Sequence, residues 1–191
     1  QMVKGTYKIN GSAVGAIVIN ANKVTLDCNG ATLIGNSSTA FANRGIYANS
    51  RINITIRNCN LSTYERAISF RNSVNMTFAN STILNSEFGL HNDNTNTKSI
   101  NNRYNTSNFT SVAISRAIYI INRGSVNSTK DYFTNKMLSN LVGVDLQGGT
   151  LNITHSRFIN FGGRIVSCAL SSTLTVKNMT AKNINGSIYG V

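Results

Sequence analysis

Short segments in which apolar and polar residues alternate recur along the whole chain. One set reads Gly45-Ile46-Tyr47-Ala48, Ala67-Ile68-Ser69-Phe70, Gly89-Leu90-His91-Asn92, Ala117-Ile118-Tyr119-Ile120, Val142-Gly143-Val144, Val166-Ser167-Cys168 and Ser187-Ile188-Tyr189-Gly190. Taking Ile46, Ile68, Leu90, Ile118, Val142, Val166 and Ile188, the intervals by subtraction are 22, 22, 28, 24, 24 and 22 residues. Alternation with period two marks a strand with one buried face. A second set follows: Val24-Thr25-Leu26, Ile52-Asn53-Ile54-Thr55-Ile56, Val74-Asn75-Met76-Thr77-Phe78, Leu151-Asn152-Ile153-Thr154 and Leu174-Thr175-Val176. A third, shorter apolar spot comes at Leu33, Leu61 and Ile83. Three short strands per repeat, with no helical period between them, predict an all-β solenoid. The expected form is a right-handed single-stranded parallel β-helix of about seven to eight coils, filling 1–191 as one domain. Irregular coils or loops are expected near 35–43 and 92–116, where the pattern degrades.

The repeats carry a resemblance. Val24-Thr25-Leu26-Asp27-Cys28-Asn29-Gly30, then Gly45-Ile46-Tyr47, then Asn53-Ile54-Thr55-Ile56-Arg57-Asn58-Cys59 resemble the parallel β-helix repeats of NosD-like and pectate-lyase-like proteins. The resemblance runs over nearly the whole chain and implies the fold. It does not imply one function, because this scaffold hosts lyases, hydrolases, adhesins and structural parts.

Composition narrows the chemistry. Hydrophobic residues make up 41% and charged residues only 13%, so Asn, Ser and Thr must build much of the surface. The net charge of +12 suits a polyanionic partner, an anionic surface or anionic covalent decoration. Acidic polysaccharide is the partner this suggests. The basic residues are scattered from Lys4 and Lys8 through Arg51 and Arg71 to Lys177 and Lys182, so no nucleic-acid footprint is localised and none is expected. No apolar run approaches the roughly 18–20 residues of a membrane span.

The resembling lyases and hydrolases need clustered carboxylates. The acidic inventory is Asp27, Glu65, Glu87, Asp93, Asp131 and Asp145. Glu65 and Glu87 stand 22 apart, as do Arg44 and Arg66, and read as a corner ladder of Glu–Arg pairs. His91 and Asp93 point to one side of a strand and form the best enzyme-like pair, but a poor one; His155 reads as a hydrogen-bonded inward histidine. No metal-ligand spacing occurs. On this reading the chain is not an enzyme and has no catalytic residue, metal or other cofactor.

Cys28 and Cys59 fall at corresponding places in successive coils, within disulfide reach, and a bridge there would fit an oxidising compartment. Cys168 falls on the inward row. N-x-S/T sequons begin at Asn10, Asn36, Asn53, Asn60, Asn75, Asn80, Asn105, Asn108, Asn127, Asn152, Asn178 and Asn185. These twelve exceed the roughly six expected by chance. Two readings stay open: N-glycosylation of a secreted protein, with Asn53, Asn75 and Asn152 forming one outward stripe, or a plain preference of outward strand positions for Asn and Thr.

Solenoid ends expose strand edges. Val3, Tyr7 and Ile9 at one end, and Ile188, Tyr189 and Val191 at the other, have no capping helix beside them in the sequence. The function this predicts is an extracellular or cell-surface structural subunit, glycan-coated and stacked head to tail with copies of itself. The alternative is a polysaccharide-binding, less readily a polysaccharide-cleaving, β-helix.

Overall fold

The computed structural model describes residues 1–36, 43–105, 115–134, 141–160, 164–169, 171–182, 184 and 188–190. They build three ladders of parallel strands. The first contains Ile17–Ile19, Arg44–Asn49, Arg66–Arg71 and Phe88–Asp93, and ends with Arg164–Cys168 and Ile188–Gly190. The second contains Thr25–Asp27, Ile52–Arg57, Val74–Ala79 and Asn96–Ile100, and ends with Ser172–Lys177. Two long strands, Ser115–Thr129 and Leu141–Thr154, run through both ladders and merge them into one sheet. The bend between their halves falls at Asn122–Gly124 and Gly148–Gly149, where φ is positive at all but Gly124 and the register shifts. The third ladder runs Thr6–Lys8, Thr32–Ile34, Asn60–Ser62, Thr82–Leu84, Arg103–Asn105, Tyr132–Thr134, Arg157–Ile159, Thr180–Lys182. The chain is a parallel β-solenoid of about six turns, slightly fewer than the coil count expected; the outermost rungs belong to incomplete coils.

Like stacks on like. Ile46, Ile68, Leu90, Ile118, Val144 and Val166 pair in sequence along the first ladder and are buried. Val144 takes the place that spacing alone assigns to Val142, because the step from Ile118 is 26 residues and not 24. In the third ladder Leu33, Leu61, Ile83, Tyr104, Phe133 and Phe158 form one inward column. Each such buried side chain contributes roughly 1.5–3 kcal/mol. A small-residue row, Gly45, Ala67, Gly89, Ala117 and Gly143, is packed under the Tyr64, Tyr104 and Phe158 rings. A Cβ on Gly89 would lie 2.5 Å from the Ala117 carbonyl oxygen and 2.9 Å from the Tyr104 ring, so nothing larger fits.

The corners explain the Asn richness. Most non-glycine residues with positive φ are asparagines, the type that best tolerates the left-handed region. At the corner between second and third ladders, Asn58, Asn80, Asn101, Lys130, His155 and Asn178 all have φ between 50° and 57°. Asn101 Nδ2 donates to Asn80 Oδ1 at 2.9 Å, and at the preceding corner Asn94 donates to Asn72 Oδ1 at 3.0 Å. Just inside that turn, backbone amides are capped by side chains of the next coil. The N–H of Cys59 donates to Ser81 Oγ, that of Ser81 to Asn102 Oδ1, that of Asn102 to Asp131 Oδ1 and that of Asp131 to Ser156 Oγ.

The register corrects two expectations. His155 is an exposed corner residue, not an inward one, because the left-handed turn points its ring outward beside Asn178. Asn152 is not in the row of Asn53 and Asn75. It aligns with Asn127, Lys98, Thr77 and Thr55, two residues further along the strand. The three sequons therefore make no single stripe. Of the irregular stretches, 37–42 and 106–114 lie outside the described residues, while Asn96–Ile100 and Arg103–Asn105 are ordinary rungs.

Candidate functional site

The outward face of the first ladder gathers the charged and aromatic residues that the sequence scatters. Arg44, Arg66, Phe88 and Arg116 occupy one outward row. Tyr47, Ser69, His91, Tyr119 and Asp145 occupy the next. Beyond them come Asn49, Arg71, Asp93, Ile121 and Gln147. Phe88, Ser69, His91, Asp93 and Asp145 are buried and form a floor, whereas Arg44, Tyr47, Arg66, Arg116 and Tyr119 are half-buried at its margins.

The rings and guanidiniums interlock. Phe88 lies 5.2 Å from Tyr119 and 5.8 Å from His91, edge-on to the latter. The Arg116 guanidinium sits 4.8 Å from the Tyr119 centroid and 5.3 Å from that of Phe88, and Arg44 lies 4.7 Å over Tyr47. Four of the six carboxylates are here. Arg116 Nε meets Asp145 Oδ2 at 2.5 Å, Arg71 Nε lies 3.2 Å from Asp93 Oδ2, and Arg66 Nε lies 3.2 Å from Glu65 Oε1 without hydrogen-bond alignment. Glu87 stands one register step from Glu65, as their interval predicts.

Burial and crowding perturb these groups. Burial, reinforced by Glu65, pushes the Glu87 carboxyl up to about 7, so it can hold and donate a proton near neutrality. Burial, with Arg66, Arg44 and Arg71 adding to it, pulls His91 down to about 3 and keeps the ring neutral. Burial also lowers Arg44, and repulsion by Arg66 one strand away adds to this. Among the described residues, Arg44 Nε and His91 Nδ1 have no hydrogen-bond partner, and Arg66 Nε has only the poorly aligned Glu65 carboxylate. Buried orphans of this kind are uncommon and call for a partner. Perturbed groups gathered on one face of a scaffold are the usual mark of a functional site.

The structure thus groups His91 and Asp93 with residues that sequence reasoning assigned to a corner ladder; their 22-residue intervals were legible, but not that these rows lie side by side on one face. Cys28 and Cys59 are disulfide-bonded and buried; Cys168, on the inward row, is half-buried with a free thiol. Among the sequons, Asn10, Asn36, Asn53, Asn75, Asn80 and Asn178 are exposed, and Asn60, Asn127 and Asn152 half-buried. Asn108, Asn185 and Val191 lie outside the described residues, as do the side chains of Asn105, Ile188 and Tyr189. Val3 is exposed, and Tyr7 and Ile9 half-buried. Among the described residues no group of three or more His, Cys, Asp or Glu could hold a metal, and no helix is long and apolar enough to cross a membrane.

No protein-family model matches the chain, and no curated protein matches it. Among solved structures it is similar to the catalytic domain of a GH87 alpha-1,3-glucanase in complex with nigerose, with 10% identity and a TM-score of 0.27. That likeness covers 97% of this chain and 60% of the other, so the chain spans less than two thirds of its length. A catalytic domain as structural neighbour runs against the expectation of a non-enzyme, and that expectation is withdrawn. The chain is a parallel β-solenoid with one outward face dense in arginine, aromatic and carboxylate side chains.

Proposed function

We propose that the outward face of the first ladder binds a polysaccharide chain, in an extracellular or cell-surface setting. The observation that carries this is the run of Arg44, Tyr47, Arg66, Phe88, Arg116 and Tyr119 over successive rungs, with Arg44 Nε and His91 Nδ1 lacking a hydrogen-bond partner among the described residues. Aromatic faces offer apolar area to a sugar ring, and guanidinium–carboxylate networks offer fixed donors and acceptors to its hydroxyls. The Cys28–Cys59 bridge suits an oxidising compartment, and the exposed sequons would carry glycans there. Titration calorimetry with neutral and acidic oligosaccharides, with reducing-end release followed in parallel for cleavage, tests the reading. Tyr119→Ala and Arg66→Gln should each weaken binding about tenfold while leaving the circular dichroism unchanged. A wild-type chain that takes no saccharide, or variants that bind as tightly as it does, would sink the proposal.

A second reading is the head-to-tail homopolymer. An apolar hollow lined by Ile17, Ile19, Val24 and Leu26 flanks the edges of Ile17–Ile19 and Thr25–Asp27, which pair with no further strand on that side among the described residues, although the Met2 N–H donates to the Asp27 carbonyl. A second copy laying its last rung there would bury that surface. Sedimentation over a concentration series should show growing species, abolished by Leu26→Glu; a monomer at every concentration rejects it.

A further inference from the structure

Ion pairing divides the cations of this protein into two populations. Five of the six carboxylates lie away from the corner between the second and third ladders in its last coils. Asp27 pairs with Arg57, and Glu65, Asp93 and Asp145 pair with arginines of the first-ladder face, where Glu87 also lies. Asp131 is 1% exposed and turned inward to Ser99, Ser128 and Asn102, so it screens little of the charge of its neighbour Lys130.

At that corner Lys130, His155 and Asn178 lie over one another, linked by Lys130 N–H to the Thr154 carbonyl and His155 N–H to the Lys177 carbonyl. Lys177 pairs with Thr154 on one side, while Arg157 pairs with Tyr132, and Lys182 with Ile159, on the other. Lys130, Arg157, Lys177 and Lys182 are all exposed, and none is in an ion pair among the described residues. The fold has collected four cations, separated in turn by 27, 20 and 5 residues in sequence, onto three adjacent coils about 4.8 Å apart, in four different columns around the turn.

We infer that this corner is a binding edge for an acidic polysaccharide, separate from the first-ladder face and independent of its proposed role. Exposed cations spread over three coils on both sides of a turn suit a polyanion with charge distributed along its length better than one small anion. Three of the four are lysines, which act as point charges and do not impose the bidentate geometry of base-edge reading. Tyr132 is a single ring beside these cations, next to Arg103 at 5.6 Å, and one ring does not supply the succession of platforms on which bases stack. The disulfide, favouring an oxidising compartment, points the same way.

The test uses polygalacturonate as probe, with neutral dextran as control. Binding should be present for polygalacturonate alone and should fall on the order of tenfold between about 50 and 200 mM salt. The quadruple variant Lys130→Gln, Arg157→Gln, Lys177→Gln, Lys182→Gln should lose it. A second quadruple with the same charge loss at exposed sites elsewhere, Lys4→Gln, Lys8→Gln, Lys23→Gln, Arg123→Gln, should keep it within about twofold, since only a localised footprint depends on where charge is removed. Tyr119→Ala should also keep it, which separates this edge from the first-ladder face. Equal losses in the two quadruples, retention by the corner variant, or preference for duplex DNA or anionic phospholipid vesicles over polygalacturonate would each overturn the inference. Circular dichroism of every variant confirms that it is folded.

Discussion

The ring of Phe133 lies on that of Phe158 with centroids 4.4 Å apart and planes 8° from parallel. Tyr104 continues the pile on the other side of Phe133 at 5.1 Å and 7°. One strand spacing separates neighbouring rungs, so identical inward positions place flat rings at stacking distance with no adjustment of the backbone. Phe133→Ala removes the middle ring from a column closed above and below. It should destabilise the fold by about 3–5 kcal/mol, whereas Phe133→Leu should cost less than about 2 kcal/mol. Urea unfolding followed by circular dichroism measures both; equal losses would mean the column is not close-packed.

Asp131 is a carboxyl sealed in the core. Three hydrogen bonds, from Ser99 and Ser128 hydroxyls at 2.6 and 2.7 Å and the Asn102 N–H at 2.7 Å, favour its ionised form, but burial outweighs them and pushes it up to about 6. Below its unfolded value, near 4, both states hold the proton. As pH rises from about 4 through 6 the unfolded chain releases its proton first, so stability falls, by roughly 3 kcal/mol in full. Asp131→Asn keeps an acceptor for Asn102 and should flatten this decline. The readout is unfolding free energy at pH 4.5 and 7; a variant that keeps the wild-type slope contradicts the assignment.

His91 works in the opposite sense. Its pKa is near 3 when folded and about 6.5 when unfolded, so the stability it confers is complete above about 6.5. It is lost as pH falls through that window toward 3, on the order of 3 kcal/mol by pH 4. Replacement by Gln should remove this acid-side loss. Because the Asp131 and His91 slopes oppose each other between pH 4 and 6, the two single variants should diverge there, and parallel curves would count against both.

The Cys28–Cys59 bridge closes a loop with a sequence separation of 31, around the first coil-to-coil step. Loop-closure entropy gives it about 3–4 kcal/mol. Unfolding with and without a reductant should show a midpoint shift of that size, absent in Cys28→Ala/Cys59→Ala. No shift would mean the bridge adds nothing to the folded state.

What could be read from the chain depended on whether a residue acts within its own coil or on the next one. Ile46, Ile68 and Leu90 announce their row by spacing alone, since an inward position must be apolar in every coil. Leu33, Leu61 and Ile83 do the same for the third ladder. His155 misled because alternation says nothing about a left-handed corner, which rotates the next side chain out of phase. Asn152 misled because Leu151-Asn152 looks like Val74-Asn75, whereas Leu151 lies in the column of Val126, Thr97 and Met76, two residues further along. The first-ladder face was hidden because its members are of mixed type from rung to rung, Arg44 then Arg66 then Phe88 then Arg116, so no single residue type repeats. The cationic corner was hidden because Lys130, Arg157, Lys177 and Lys182 come from different places within their coils and meet only where the path turns.

The capped amides at the turn all point one way: each coil donates and its successor accepts. A parallel file of the same sense runs at the other corner, from Arg51 N–H to Ser73 Oγ and from Ser73 N–H to Thr95 Oγ1. Removing a coil from the carboxyl-terminal side therefore strands donors in the coil beneath, while trimming from the amino-terminal side strands none of these. The protein has a grain. Fraying, proteolytic shaving or the grafting of extra turns should be easier from one direction than from the other, and a coil inserted anywhere fits only if it brings a hydroxyl, amide or carboxyl to that turn.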